Sequence, residues 1–74
     1  MRYIKIEHNL GEESAINCAN ALREAGVKQA RRGAAVLALS TMHNAHVIIN
    51  IMVDNYGFER EEPSQADIDY LNRS

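Results

Sequence analysis

The sequence predicts a mainly α chain: a short N-terminal β-strand, a helical hairpin with a long second helix, and a short C-terminal helix, assembled as a homo-oligomer. Three observations predict it. Ala35, Ala38, Met42, Ala45, Ile49, Met52 and Tyr56 recur at alternating steps of three and four residues, the spacing of a seam along one helix face. No Asp, Glu, Lys or Arg lies between Gly33 and Val53, and Val36, Leu37, Val47, Ile48 and Ile51 are apolar off that seam. A helix apolar on several sides needs cover on several sides. Third, the chain has only 74 residues, with one Phe, three Tyr and no Trp. A chain so short buries only ~60% of its unfolded surface and tends to need a disulfide, a metal or a partner chain. A single cysteine, Cys18, rules out an internal disulfide, which leaves self-association to supply the missing core.

Residues 2–7 alternate and are rich in β-formers, so they read as a strand with Ile4 and Ile6 on one face and Tyr3, Lys5 and Glu7 on the other. Asn9 is a candidate cap for a first helix over 11–25, with Glu12 and Glu13 favouring its N-terminus. Ala15, Cys18, Ala19, Leu22 and Ala25 form its apolar face, and Gly26 is a natural stop. The long helix follows from about Ala30 to the break at Asn55-Tyr56-Gly57. A local alternative is a small α+β chain in which 34–42 is a short helix and the β-branched run 46–53 is a strand pairing with 2–7. Phe58 to Glu62 reads as an acidic linker, and Ser64 with Asp67 three residues later reads as the cap of a two-turn helix carrying Ile68 and Leu71. Residues 1–57 thus form a binding and oligomerisation domain, and 58–74 an acidic linker with a short helix.

Several functional classes fall away. The net charge is −2, whereas general nucleic-acid binders carry a basic excess that neutralises phosphate. The uncharged stretch 33–53 has the length of a membrane span but contains Ser40, Thr41, His43, Asn44, His46 and Asn50, which are costly in lipid. A lone cysteine in an apolar helix pattern suits a reducing compartment, and the charged N-terminus is unlike a signal peptide, so a cytoplasmic protein is expected. There is no phosphate-binding glycine loop, dinucleotide fingerprint or nucleophile elbow. No enzyme, cofactor or metal site is expected. His43 and His46 share a helical side, but a metal site there would need His8, Asp54 or the same pair from a second chain to join, and the pair reads instead as polar residues bordering an interface.

The sharpest local feature is Lys28-Gln-Ala-Arg31-Arg32-Gly33, placed where the long helix is expected to begin. Free N–H groups at a helix N-terminus favour anions, and arginine forks match phosphate or carboxylate. Lys28, Arg31 and Arg32 are therefore the candidate ligand residues, and the expected function is non-catalytic capture of a nucleotide- or phosphate-like anion by a homo-oligomer. A second reading is a small adaptor or inhibitor that masks a surface of a partner protein, steered by Glu59, Glu61, Glu62, Asp67 and Asp69. A third is a DNA-binding regulator, since the order strand, helix, helix resembles the ribbon-helix-helix plan. The acidic balance, Glu7 beside Lys5, and an overlong second helix count against it.

Overall fold

A computed structural model describes residues 2–41 and 43–73. Its chain order is β1 (Tyr3–His8), α1 (Glu13–Glu24), β2 (Gln29–Arg32), β3 (Ala35–Leu39), α2 (His43–Tyr56), β4 (Phe58–Glu61) and α3 (Gln65–Arg73). The four strands form one sheet in the order β2-β3-β1-β4, and every neighbouring pair is antiparallel. The first six elements follow the β-α-β-β-α-β order of the split βαβ, or ferredoxin-like, plan. The expected mainly α architecture is therefore corrected to α+β.

The strand at 2–7 and the first helix form where the spacing places them. The α1 helix starts at Glu13 with Glu12 at the N-cap, and that cap makes no side-chain hydrogen bond. It ends in a Schellman motif: Val27 N–H donates to the Leu22 carbonyl at 3.0 Å and Gly26 N–H to the Arg23 carbonyl at 3.0 Å. Gly26 sits at φ +78°, the left-handed conformation the motif requires.

The long second helix does not form over its first half. Residues 29–39 are instead a β-hairpin, with Gly33 at φ +62° and Ala34 between the two strands. No described non-glycine residue has positive φ, so the two-residue turn has the glycine-first geometry of type II′. The periodicity misleads because β3 is buried on both faces. Val36 and Ala38 join the core beneath α1 and α2, while Leu37 joins a second cluster beneath α3. A strand covered on both sides is apolar at every position, and such a run also satisfies a helical template.

The local alternative is inverted as well. Residues 46–53 are helical, and the strand is 35–39 rather than a helix. The β-branched run is held helical by tertiary burial: Ala45 and Ile49, four apart, are both within 1% of full burial, and Ile48, Met52 and Val53 pack beside them. The segment from residue 58 is no linker, because Phe58–Glu61 pairs with β1 through Lys5↔Glu61 and Glu7↔Glu59. Only Phe58 of these four is buried. A charged strand at a sheet edge carries no apolar alternation to read.

Packing is layered. One face of the sheet carries Ile4, Ile6, Val36, Ala38 and Phe58 against Ala15, Cys18, Ala19, Leu22, Ala45 and Ile49. On the opposite face Leu71 of α3 packs on Ala30 and Leu37, with Tyr3 and Leu39 at the margin. Each large side chain taken fully from water contributes roughly 1.5–3 kcal/mol. The α3 cap is the box its sequence predicts. Ser64 N–H and Oγ–H donate to Asp67 Oδ2 at 2.9 and 3.0 Å, and Asp67 N–H donates to Ser64 Oγ at 3.2 Å.

Candidate functional site

The sheet has two open edges, β2 and β4. In β2 the outward backbone groups follow from the ladder. Leu39 N–H donates to the Lys28 carbonyl at 3.1 Å, and β2 continues with Ala30 opposite Leu37 and Arg32 opposite Ala35. Bonding alternates along an antiparallel pair, so Lys28, Ala30 and Arg32 bond inward to β3, and the backbone N–H and C=O of Gln29 and Arg31 face out. The Tyr70 hydroxyl donates to that outward Arg31 carbonyl at 3.3 Å.

Beside this edge lies a trough of about 440 Å³, lined by Ile16, Ala19, Asn20, Arg23, Gln29, Ala30, Arg31 and Tyr70. Its geometry is set by α1 packing along β2. Successive turns of α1 supply Ile16, Asn20 and Arg23 from one wall, the strand edge forms the other, and Tyr70 of α3 closes round the far side. Ile16 and Tyr70 are both exposed. The trough thus combines an apolar base, two amides, two guanidinium-bearing side chains and a strand edge.

The expected ligand residues part company here. Lys28 is exposed and immediately precedes β2. Arg31 and Arg32, adjacent in a strand, project to opposite faces of the sheet. Arg31 Nη1 donates to the Gly33 carbonyl at 2.9 Å and lies 3.6 Å from Glu12 Oε2, on the α1 side. Arg32 lies over the Tyr70 ring at 5.5 Å and 3.8 Å from Asp67 Oδ1, on the α3 side. The helix N-terminus that was to gather them is absent, because 29–32 is a strand. Only Arg31 of the three lines the trough. Arg23, Asn20, Gln29 and Tyr70 were missed. Asn20 and Arg23 fall off the apolar face of α1, and only the position of the neighbouring strand edge distinguishes them from ordinary solvated helix residues.

The expected oligomer seam is also redistributed. Ala35 and Ala38 are buried in the central strand β3, and Ala45 and Ile49 in the core beneath α2. Met52 packs against the same core, Tyr56 is exposed at the end of α2, and Met42 lies outside the described residues. The seam is therefore split: Ala35 and Ala38 lie in a strand, and only Ala45, Ile49, Met52 and Tyr56 follow one another along a helix, α2.

The second edge has the opposite charge. Its inward bonds to β1 run through Glu59 and Glu61, since His8 N–H donates to the Ala34 carbonyl and leaves Lys5 and Glu7 to bond β4. Phe58, Arg60 and Glu62 therefore present the outward backbone groups. Glu7, Glu59 and Glu61 share the face that α3 leaves uncovered beside β1. A hydrogen bond with Glu7, burial, and the Glu7 charge together raise the Glu61 carboxyl above its ordinary value. Asp67, by contrast, is pulled below the carboxylate range by the Ser64 N–H and by Lys5, whose ammonium lies 3.2 Å away, against the upward push of burial.

Elsewhere the chemistry is quiet. Burial pushes the Cys18 thiol up to about 11, a value at which little thiolate exists near neutrality. Among the described residues no group of three or more His, Cys, Asp or Glu side chains is arranged to hold a metal ion, and no helix is long and apolar enough to cross a membrane. Comparison with protein-family models, with curated proteins and with solved structures finds no match to this chain.

Proposed function

We propose that the protein is a small non-catalytic binding module that takes an extended, acidic segment of a partner protein by strand addition to β2. The observation that carries this reading is the coincidence of an open strand edge with the trough beside it. Outward N–H and C=O groups on Gln29 and Arg31 supply sequence-independent affinity, and alternate side chains of an added strand drop toward Ile16 and Ala19 on one face. Arg23, Arg31 and Lys28 give the site its preference for acidic sequence. The shape favours a peptide over a free nucleotide. Small-ligand sites usually enclose most of their ligand, whereas this trough is open along the sheet edge. A reducing compartment such as the cytoplasm is the proposed setting, supported by an unpaired cysteine buried in the core.

The test is an amide-shift titration of the labelled protein with an acidic, β-branched octapeptide, alongside titrations with inorganic phosphate and with a nucleotide. Peptide binding should move Gln29, Arg31, Asn20 and Arg23 together. Arg23→Ala should weaken it about two- to fivefold at low salt, the range of one exposed charge pair. Gln29→Pro removes an outward N–H that no β3 bond uses, so the fold should persist while binding is lost. Equal shifts with phosphate alone, or peptide shifts confined to another surface, would overturn the reading.

A further inference from the structure

We propose that the acidic strand received by β2 is the β4 edge of a second copy of this chain, so that the sheet continues head to tail from one molecule to the next. The inference rests on the strand-addition reading above and names its partner. Three features carry it.

The first is direction. The order β2-β3-β1-β4 with every neighbour antiparallel makes β2 and β4 run oppositely. A second molecule placed in the same orientation beside the first therefore meets β2 with an antiparallel β4, and the alternation continues unbroken. Its helices α1 and α2 fall on the same face as those of the first copy.

The second is charge. The β2 edge carries Lys28, Arg31 and Arg32, and the β4 edge carries Glu59, Glu61 and Glu62 with Arg60. A two-fold axis through either edge would set like charges against each other, β2 on β2 or β4 on β4. Such pairs directly opposed across strands are unfavourable. Only the head-to-tail contact brings unlike edges together.

The third is register. Outward backbone groups must meet outward groups: Gln29 and Arg31 from β2, Phe58 and Arg60 from β4. The antiparallel setting with Gln29 opposite Arg60 and Arg31 opposite Phe58 also puts Lys28 opposite Glu61, and Arg32 diagonal to Glu59. It sets Gln29, and not Arg31, directly opposite Arg60, with the two arginines as diagonal neighbours. The Tyr70 hydroxyl yields its bond to the Arg31 carbonyl when the new strand arrives. Contacts of this heterologous kind leave one free edge at each end and grow until a ring closes.

The test is sedimentation velocity on the intact chain over a concentration series, at low and high salt. The weight-average mass should rise past twice the monomer mass at high concentration and fall back when salt is raised. Lys28→Glu and Glu61→Lys, both at exposed surface positions, should each abolish the rise. Mixed in equal amounts they should restore it, because each reversed edge then meets its complement. A chain that stays monomeric throughout, an assembly indifferent to both substitutions, or a mixture that fails to recover would overturn the inference. Peptide binding at Gln29 and Arg31 in a strictly monomeric chain would leave the strand-addition reading standing and this one refuted. Rescue by the mixed variants without binding of any foreign acidic peptide would support this inference and restrict strand addition at β2 to a second copy of this chain.

Discussion

The β2–β3 half of the sheet is covered on both faces, by α1 on one and by α3 on the other, and it ends in a basic edge. The β1–β4 half is covered by helices on one face, while on the other α3 reaches only Tyr3 and Lys5 of β1 and leaves the acidic end, Glu7, Glu59 and Glu61, without a helix over it. The two halves are held by different means. In the first, Asp67 ties three elements together: it caps α3, lies 3.2 Å from Lys5 of β1 and 3.8 Å from Arg32 of β2. In the second, Glu7 and Glu59 sit directly opposite each other, and Glu7 holds the Glu61 carboxyl above its ordinary value. Opposed carboxylates across strands contribute no stability, so β4 depends on backbone pairing and on one buried side chain, Phe58. Asp67 thus meets two cations in the first half, while in the second only Lys5, opposite Glu61, offsets the carboxylates. The edges left beyond these pairs are basic at Lys28 and acidic at Glu59 and Glu62.

The largest expected effects lie at the single anchors. Phe58→Ala should cost about 3–5 kcal/mol and Leu71→Ala about 2–5 kcal/mol in denaturant unfolding, as for other truncations of buried side chains. Their local signatures should differ. Loss of Phe58 should strip amide-exchange protection from β4, while loss of Leu71 should expose the α3 face of β2 and β3 with β4 still protected. If both variants unfolded as one unit with the same exchange pattern, the division into halves would be wrong.

Next comes the carboxylate that joins elements. Asp67→Ala should cost about 0.5–2 kcal/mol at neutral pH through the lost cap alone, with a further loss from Lys5. The carboxyl is depressed in the folded state, so the unfolded chain takes up its proton first as the solution is acidified. The contribution of Asp67 is full above the ordinary aspartate value of ~3.9 and disappears as pH falls through the lower folded value. The difference between wild type and Asp67→Ala in chemical denaturation should therefore shrink below pH 4.

Glu61 should show the opposite sign. Its folded value is raised, so folding takes up a proton and the acidic half gains stability as pH falls through that raised value. Glu7→Gln removes the first cause of the shift. A carboxyl-carbon NMR titration should then find Glu61 titrating lower, and the variant should be slightly more stable than wild type at neutral pH. An unchanged Glu61 curve would show that the two carboxylates do not interact.

The smallest effect concerns the partial cover on the basic edge. Tyr70→Phe removes the hydroxyl that donates to the Arg31 carbonyl. A hydrogen bond of this kind contributes about 0.5–1.5 kcal/mol at most, and this one is long and exposed. The stability loss should sit at the bottom of that range, while affinity for an added strand rises because the carbonyl no longer has to be released. Weaker strand binding in Tyr70→Phe would mean that the hydroxyl holds the incoming segment instead of covering the edge.

Sequence alone determined the elements whose signals are local. Ile4 and Ile6 alternate in β1, the spacing of Ala15, Cys18 and Leu22 marks α1, Gly26 ends it, and the Ser64–Asp67 pair opens α3. Each is written in side chains a few residues apart and needs no distant partner. The region 29–61 was not legible in this way. The run Ala35-Val-Leu-Ala-Leu39 is apolar throughout because strands β1 and β2 flank it and helices cover both its faces, and a run without alternation fits a helix equally well. Val47 to Val53 carries β-propensity that burial of Ala45 and Ile49 overrides, and Phe58–Glu61 becomes a strand only because β1 offers it an unpaired edge.

The candidate site divides the same way. The basic character of Lys28, Arg31 and Arg32 and the acidic character of residues 59–62 are plain in the chain. Which of them share a surface was decided by the pleat, which sends Arg31 toward α1 and Arg32 toward α3. The trough itself joins residues 16–23 to residues 29–31 and to Tyr70. Contacts at that separation arise only when the sheet closes, since their loop-closure cost is met by the packing of the whole fold rather than by any local preference.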